Sequence, residues 1–248
     1  MARIPYDEVA KDYREGRGLS EDGLAGWQKA VRPYFQGLTL PLVDVGSGTG
    51  QFAPLFAEWF GIDVVGVEPS EGMRAQAIEN AAHSRVLYVA GDAEHPPLEQ
   101  ASCGGAWIST VIHHIPDLGA AAREVRRVLA PSAPVLIRSA FPGRTGGISL
   151  FRFFPEAAAV VETFPSIERV ERDFGAAGFA LERFEAVPQT TIGSLREFRE
   201  RVALRADTTL RGISDDAFVA GLRCLDEELD SDSGSQPLTD YLDLAVLR

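Results

Sequence analysis

Residues 42–50, Leu-Val-Asp-Val-Gly-Ser-Gly-Thr-Gly, constrain the fold of this 248-residue chain more than any other stretch. Val43 and Val45 suit a buried strand, and three glycines spaced two apart follow at once. Gly46, Gly48 and Gly50 tolerate positive φ and put no Cβ between the main chain and a ligand lying across the strand end. A helix is expected next, over about residues 51–60, with its first-turn N–H groups and dipole facing any anionic ligand group. The unit points to a nucleotide-like ligand. Alone it also fits a tight turn that binds nothing, so its surroundings decide.

Those surroundings continue with a second apolar run, Ile62 to Glu68, which ends in a carboxylate eighteen positions after Gly50. Doubly wound nucleotide-binding sheets place an acid about 20 residues beyond the glycine loop, where it accepts hydrogen bonds from ribose hydroxyls. Glu68 fits that role. A third run, Val86 to Ala90, leads into Gly91-Asp92-Ala93, and Asp92 is suited to accept from an exocyclic amine of a base. A nicotinamide or flavin dinucleotide is the rival ligand. Its loop wants Gly-x-Gly-x-x-Gly, whereas here Gln51 stands where the third glycine belongs, so no pyrophosphate cradle forms.

Strand-like and helical patterns alternate through residue 141, which predicts parallel strands joined by right-handed crossovers. Helices are expected near 70–82 and 117–130, the latter sharing an apolar face of Ala120, Ala121, Val125, Val128 and Leu129 and ending at Pro131. Val135-Leu136-Ile137 starts another strand, broken by Phe141-Pro142-Gly143-Arg144. Ile167 to Gly175 reads as a helix closing at Gly178, Ala180 to Val187 as a strand, and the acidic run Asp226 to Ser235 as an exposed loop.

In order and spacing, Asp44 to Gly50, Glu68-Pro69-Ser70, Gly91-Asp92-Ala93 and Ser109 to Pro116 resemble the motifs of the class I S-adenosylmethionine-dependent methyltransferases, small-molecule branch. The likeness covers roughly residues 5–141. It implies an α/β, doubly wound, Rossmann-like sheet of seven mostly parallel strands whose last strand, near Asp240 to Leu247, runs antiparallel, with a helical cap. One domain over 1–248 is expected: a core at about 38–141, 180–188 and 238–248, and a cap from 1–36, 142–178 and 193–230. The implied cofactor is S-adenosyl-L-methionine. By matching position, Gly46, Ser47, Gly48, Gly50 and Gln51 lie beside its methionyl group, Glu68 on the ribose, and Asp92 with Ala93 at the base. Asp44, Pro69, Gly91 and Ser109 complete the set. Met73 resembles the apolar residue covering one adenine face, and also fits a buried helix position.

The resemblance further implies methyl transfer to an oxygen, nitrogen or carbon of a small acceptor. The sulfonium donor is already activated, so alignment, exclusion of water and one base suffice. His113 and His114 follow the fourth parallel strand, and ligands of open α/β sheets bind outside the carboxyl ends of the strands. Histidine's pKa of about 6.5 suits proton removal. His114 is the favoured base, by likeness to sugar and natural-product methyltransferases; a polar plug or cap is its plain alternative, and His113 inherits the role if His114 points inward. The same fold can instead serve a cyclisation through the sulfonium charge, or only bind.

Two segments are candidates for the acceptor roof. Near the start, Tyr6, Tyr13 and Arg17 are positioned like residues that close over cofactor and acceptor in relatives, although amphipathic packing accounts for the tyrosines too. Later, Phe141, Arg152 and Phe153 belong to or border an apolar insertion that either lines a pocket for a hydrophobic or aromatic acceptor or buries itself, and Arg152 fits a ligand carboxylate and a surface position with its stem as cover equally well.

A net charge of −12 opposes phosphate backbones and anionic bilayers as partners. Cys103 and Cys224 stand far apart without metal-ligand spacing, so no metal is expected. Neither a secretory apolar core nor a membrane-length run is read, so a soluble, cytoplasmic monomer or homodimer is expected. Two departures from the family pattern stand out: Cys103-Gly104 replaces a Phe-Asp pair, and Pro131-Ser132-Ala133 replaces a Pro-Gly-Gly turn, so local turn geometry is expected to differ.

Overall fold

Strands β1 (Leu42–Val45), β2 (Val64–Glu68), β3 (Val86–Ala90), β4 (Gly105–Ser109), β5 (Val135–Ser139), β6 (Leu181–Ile192) and β7 (Leu238–Leu247) form one sheet. In the computed structural model, which describes residues 19–231 and 238–248, their order is β3-β2-β1-β4-β5-β7-β6. β1 to β5 are mutually parallel, and β7 runs antiparallel to both β5 and β6. Strand order reverses between β1 and β4. A crevice opens outside the carboxyl ends there, where such sheets bind ligands.

Helices α1 (Glu21–Phe35), α2 (Ala53–Phe60), α3 (Glu71–Asn80) and α4 (Leu118–Val128) belong to the first half of the chain. In the second half come α5 (Ser149–Phe153), α6 (Pro155–Val161), α7 (Ile167–Gly175), α8 (Leu195–Ala203), α9 (Thr208–Arg211) and α10 (Asp215–Ser231). Both faces of the sheet are covered, which is why its central strands read as continuous apolar runs. Val43, Val45, Ile108 and Ile137 point into one core with Val125 of α4 and Phe174 of α7. Leu42, Trp107 and Leu136 point into the other, with Trp27 of α1 and Phe56 of α2. Trp107 packs edge-on against Phe52 and Phe56 at centroid separations of 5.2 and 5.3 Å. Its indole nitrogen has no hydrogen-bond partner among the described residues, so apolar contact alone holds it.

Helix α1 approaches β6 unusually closely, because a Cβ at Gly26 would lie 2.7 Å from the Pro188 carbonyl oxygen and one at Gly23 would strike that of Thr190. The contact is locked by Trp27, whose Nε1 donates to Gln189 Oε1 at 2.8 Å.

Beyond the carboxyl end of β5, helices α5, α6, α8, α9 and α10 gather round a third apolar cluster that includes Phe153, Phe154, Phe198, Leu210 and Leu225. This is the cap.

Most expected elements occur where sequence pattern placed them, with some corrections. α2 starts at Ala53, later than residue 51, with proline in its first turn. α7 has the expected bounds but packs on α4, with Val170 and Phe174 in the main core, so it is a core helix and not part of the cap. Residues 226–231 are helical and not loop. Leu225 and Leu229 share an apolar stripe there, and Asp226 pairs with both Arg199 Nε and Nη2 at 2.8 and 3.2 Å, so the acidic face is anchored. β6 runs on to Ile192, paired along its length with β7. The substituted turn keeps glycine-like geometry, since Ser132 takes φ 62°.

Candidate active site

The glycine loop turns as its composition requires: Gly46, Gly48 and Gly50 adopt φ of 69°, 56° and 79°. The three differ in what surrounds them. A Cβ at Gly48 would meet nothing within 4 Å, so main chain lies open to the crevice there. At Gly46 and Gly50 a Cβ would collide with Val111 and with Tyr88 and Ala81, so these two are small for packing reasons.

Glu68, at the tip of β2, is buried. Its Oε2 accepts from Gly48 N and its Oε1 from Ser70 N, both at 2.9 Å. These two bonds tie loop and acid into one unit. The motif after it is explained locally. Ser70 Oγ accepts from Met73 N at 3.1 Å and so caps α3, and Arg74 Nη1 donates to the Glu68 and Pro69 carbonyls at 2.7 and 2.9 Å. Behind the loop, Asp44 is buried next to Glu68. Burial first, and the Glu68 charge second, push its carboxyl up to about 8.

Across the crevice, Asp92 Oδ1 accepts from Glu94 N at 2.9 Å and His95 N at 2.7 Å, closing an Asx-type turn. After β4, Thr110 takes φ 54°, a conformation rare for a β-branched residue, and its amide donates to the Arg138 carbonyl at 2.7 Å. A short 3₁₀ turn, Ile112–His114, follows. The rings of His113 and His114 are 4.0 Å apart, and His113 stacks on Phe164 at 3.9 Å with planes 3° apart.

These elements enclose a cleft of about 700 Å³ including its opening to solvent. Gly46, Gly48, Glu68 and Pro69 form one wall. Met73, Asp92, Ala93 and Glu94 form the second, and Thr110, Val111, His114, Ile115 and Pro116 the third.

Residues 43–137 match the family model described as a methyltransferase domain. The malonyl-acyl-carrier-protein O-methyltransferase of Erwinia pyrifoliae is 30% identical over 179 residues, 71% of this chain and 65% of that protein. A demethylmenaquinone methyltransferase of Roseiflexus castenholzii is 30% identical over 129 residues, 50% of this chain and 53% of that protein. Residues 43–137 are thus a methyltransferase domain, and the fold around it is that of the class I S-adenosylmethionine-dependent methyltransferases. The chain matches between about half and two thirds of the length of these curated relatives. Two solved structures share the fold: a methyltransferase from an antibiotic biosynthesis pathway of Anabaena variabilis, with TM-score 0.71 and 20% identity over 91% of this chain and 99% of that one, and the 4+2 cyclase SpnF, with TM-score 0.63 and 22% identity over 98% and 93%.

The residues of this methyltransferase-family chain fit the family's cofactor. Main chain is open at Gly48, an acid stands at the end of β2, and an apolar side chain, Met73, is buried at the cleft wall. Of the expected contacts, Gly46, Gly48, Glu68, Pro69, Met73, Asp92 and Ala93 line the cleft together with His114. Asp44, Ser47, Gly50, Gln51, Gly91 and Ser109 are not among the lining residues. Gly50 sits under Tyr88, Gly91 packs against Pro97, and Ser109 Oγ accepts from Arg138 Nη1 at 3.2 Å. Ser47 is buried, and its Oγ has no partner among the described residues.

Among the described residues, those expected at the acceptor do not line this cleft. Phe141 is fully buried and meets Phe184 edge-on at 5.4 Å. Phe153 belongs to the cap core, beside Phe198 at 6.0 Å. Arg152 is on the outer surface, its Nη2 2.5 Å from Glu228 Oε2 and its guanidinium over Phe153, so packing and an ion pair account for it. Tyr6, Tyr13 and Arg17 lie outside the described residues. Glu94, Thr110, Val111, Ile115 and Pro116 line the cleft without having been singled out individually; four of them fall within the Ser109 to Pro116 motif.

No group of histidine, cysteine and acidic residues that could hold a metal occurs among the described residues, and none of their helices is long and apolar enough to cross a membrane.

Proposed function

We propose that this protein moves a methyl group from S-adenosylmethionine to an oxygen, nitrogen or carbon of a small, largely apolar acceptor, with His114 as general base. The observation that carries this reading is that His114 lines the same cleft as Gly48 and Glu68. The cofactor supplies an activated methyl, so little covalent chemistry is asked of the protein.

The chain's own residues divide the work. Gly48 offers open main chain to the methionyl end, with Gly46 lining the cleft beside it, and Glu68, held by two backbone amides, accepts from the ribose hydroxyls. Met73 and Ile115 supply apolar walls to the base, with Asp92 and Ala93 at its edge. His114 takes the acceptor's proton as the new bond forms, and His113, stacked on Phe164, braces it. The apolar share of the lining keeps water from competing. The acidic balance of the chain favours a small metabolite over nucleic acid as acceptor, and a cytoplasmic monomer or homodimer completes the reading.

Incubation with methyl-labelled cofactor and a panel of small acceptors tests this directly. Label in an acceptor, with S-adenosylhomocysteine accumulating in equal amount, is the expected result. The fold shared with a 4+2 cyclase motivates a second reading, in which the bound sulfonium serves a cyclisation and is never consumed. Cofactor binding without S-adenosylhomocysteine would favour that alternative.

A further inference from the structure

A second cavity, of about 720 Å³ including its opening to solvent, lies between the sheet and the cap. Its lining sets Asp207 and Asp240 against Arg138 and Arg201, so the balance of charge there favours neither an anion nor a cation. The cofactor cleft holds a more specific arrangement, at the place where its second and third walls meet.

Those walls come from separate connections. The second follows β3, where Asp92 Oδ1 accepts from the amides of Glu94 and His95 and so fixes the backbone of the turn. The third follows β4 and carries His114. Glu94 joins them: its Oε1 accepts from the backbone N–H of Asp117 at 2.8 Å, 23 residues further along the chain. Asp117 is also the N-cap of α4, its Oδ1 accepting from Ala120 N at 2.9 Å. A second tie lies in the last turn of the same helix. There Arg127 donates from Nη1 to the Leu98 carbonyl at 2.7 Å and from Nη2 to the Pro96 carbonyl at 3.2 Å, steadied by Glu124 Oε2 at 2.8 Å from its Nε. The segment that carries Asp92 and Ala93 is therefore pinned to both ends of α4.

The turn that carries His114 has little of its own to hold it. Its internal bonds are His114 N to the Val111 carbonyl at 2.7 Å and Ile115 N to the Ile112 carbonyl at 3.4 Å. Short 3₁₀ turns have poor hydrogen-bond geometry, so the placing of this one depends on its two ends. At the first end Thr110 is fixed to the sheet through the Arg138 carbonyl. At the second end stands Asp117, three residues after His114, with its amide on Glu94.

We infer that Glu94 is a positioning residue: through the Asp117 amide it holds the His114 turn against the Asp92 side of the cleft. Only the consequence for proton transfer rests on the reading of His114 as general base. The role asks for an acceptor oxygen at the reach of a glutamate side chain and makes no use of its charge. Glutamine keeps reach and acceptor without the charge, aspartate keeps the charge and falls one methylene short, and alanine keeps neither.

The test reads histidine ring signals by NMR in the full chain. His114 is assigned by the loss of its signal in His114→Gln, and His83, between α3 and β3, serves as the remote control. In Glu94→Asp and Glu94→Ala the His114 signal is expected to shift or broaden while that of His83 stays in place, and in Glu94→Gln both are expected at their unaltered positions. Calorimetry should find S-adenosylhomocysteine binding each variant within about threefold of the unaltered chain, which also shows the variants folded. Should Glu94→Ala fail to fold, the aspartate and glutamine variants decide between reach and charge. An unmoved His114 signal in Glu94→Asp, or a Glu94→Gln signal displaced as far as that of Glu94→Asp, would overturn the inference. So would loss of S-adenosylhomocysteine binding in Glu94→Gln, which would make Glu94 a cofactor contact. Failure of S-adenosylhomocysteine to bind the unaltered chain is a separate result: it strikes the cofactor reading, while the His114 signals, compared in the unliganded chain, still decide the role of Glu94.

Discussion

The two cavities at the carboxyl edge of the sheet are built in opposite ways. The cofactor cleft comes from short contiguous motifs, each finishing a strand, and its key contacts are backbone amides: Gly48 N and Ser70 N on Glu68, and Glu94 N and His95 N on Asp92. The cap cavity draws on residues as far apart as Leu19, Arg138, Gln189, Arg201 and Asp240. Its central polar contacts are side chain to side chain, through Gln189 Oε1, which accepts from both Trp27 and Arg138. A site made from backbone at a strand end tolerates variation elsewhere in the chain. One assembled from distant side chains is free to change without disturbing the first.

Substitutions on either side can break or sharpen this contrast. The largest effect is expected at His114, where His114→Ala should slow turnover by roughly 10²-fold or more while S-adenosylhomocysteine affinity is kept; single-turnover rates with labelled cofactor would show it, and unchanged turnover would reduce His114 to scaffold. Next comes Gln189→Leu, which leaves the buried Arg138 and the Trp27 N–H short of an acceptor. A loss of about 2 to 3 kcal/mol in unfolding free energy is expected, without a matching loss of cofactor affinity. If cofactor binding fell in step with stability, the two regions would not be independent. Smaller again is Phe164→Leu, which removes the stack on His113. A stability change of about 1 kcal/mol, the scale of an aromatic pair, and a few-fold drop in turnover are expected from thermal melts and kinetics.

The fourth expectation concerns pH. Asp44 titrates near 8 in the folded chain against 3.8 for the ordinary group, so between those values the folded state binds more protons than the unfolded state. Stability therefore falls as pH rises through that window. Asp44→Asn should flatten this slope in denaturant melts taken from pH 5 to pH 8. A slope equal to that of the unaltered chain would remove Asp44 as its source.

The cofactor side was legible in the sequence for the same reason that it is built from backbone. Positive φ at three glycines, an acid closing a strand and a serine cap are local demands, and local demands leave residue types at fixed spacings. The bounds of α7 and the identity of β3 were readable likewise. What local pattern could not carry was which face a helix presents to which neighbour. The position of α7 in the chain, within the insertion, points to the cap, yet Val170 and Phe174 take it to the core. The aromatic neighbours of Arg152 fit a ligand carboxylate and a surface position equally well, and it is Glu228, 76 residues away in the chain, that holds it at the surface. Of the two arginines that line the cap cavity, Arg201 stands in a polar stretch whose hint is the apolar stripe of Leu195, Phe198 and Val202 on the same helix.

The central claim, that the glycine loop and Glu68 together hold S-adenosylmethionine, is tested most directly by calorimetric titration of S-adenosylhomocysteine into the unaltered chain and into Glu68→Ala. Saturable binding by the first, weakened in the second by about 1.5 to 3 kcal/mol, is the expected result. No heat of binding with the unaltered chain, or equal affinity in both, would contradict it.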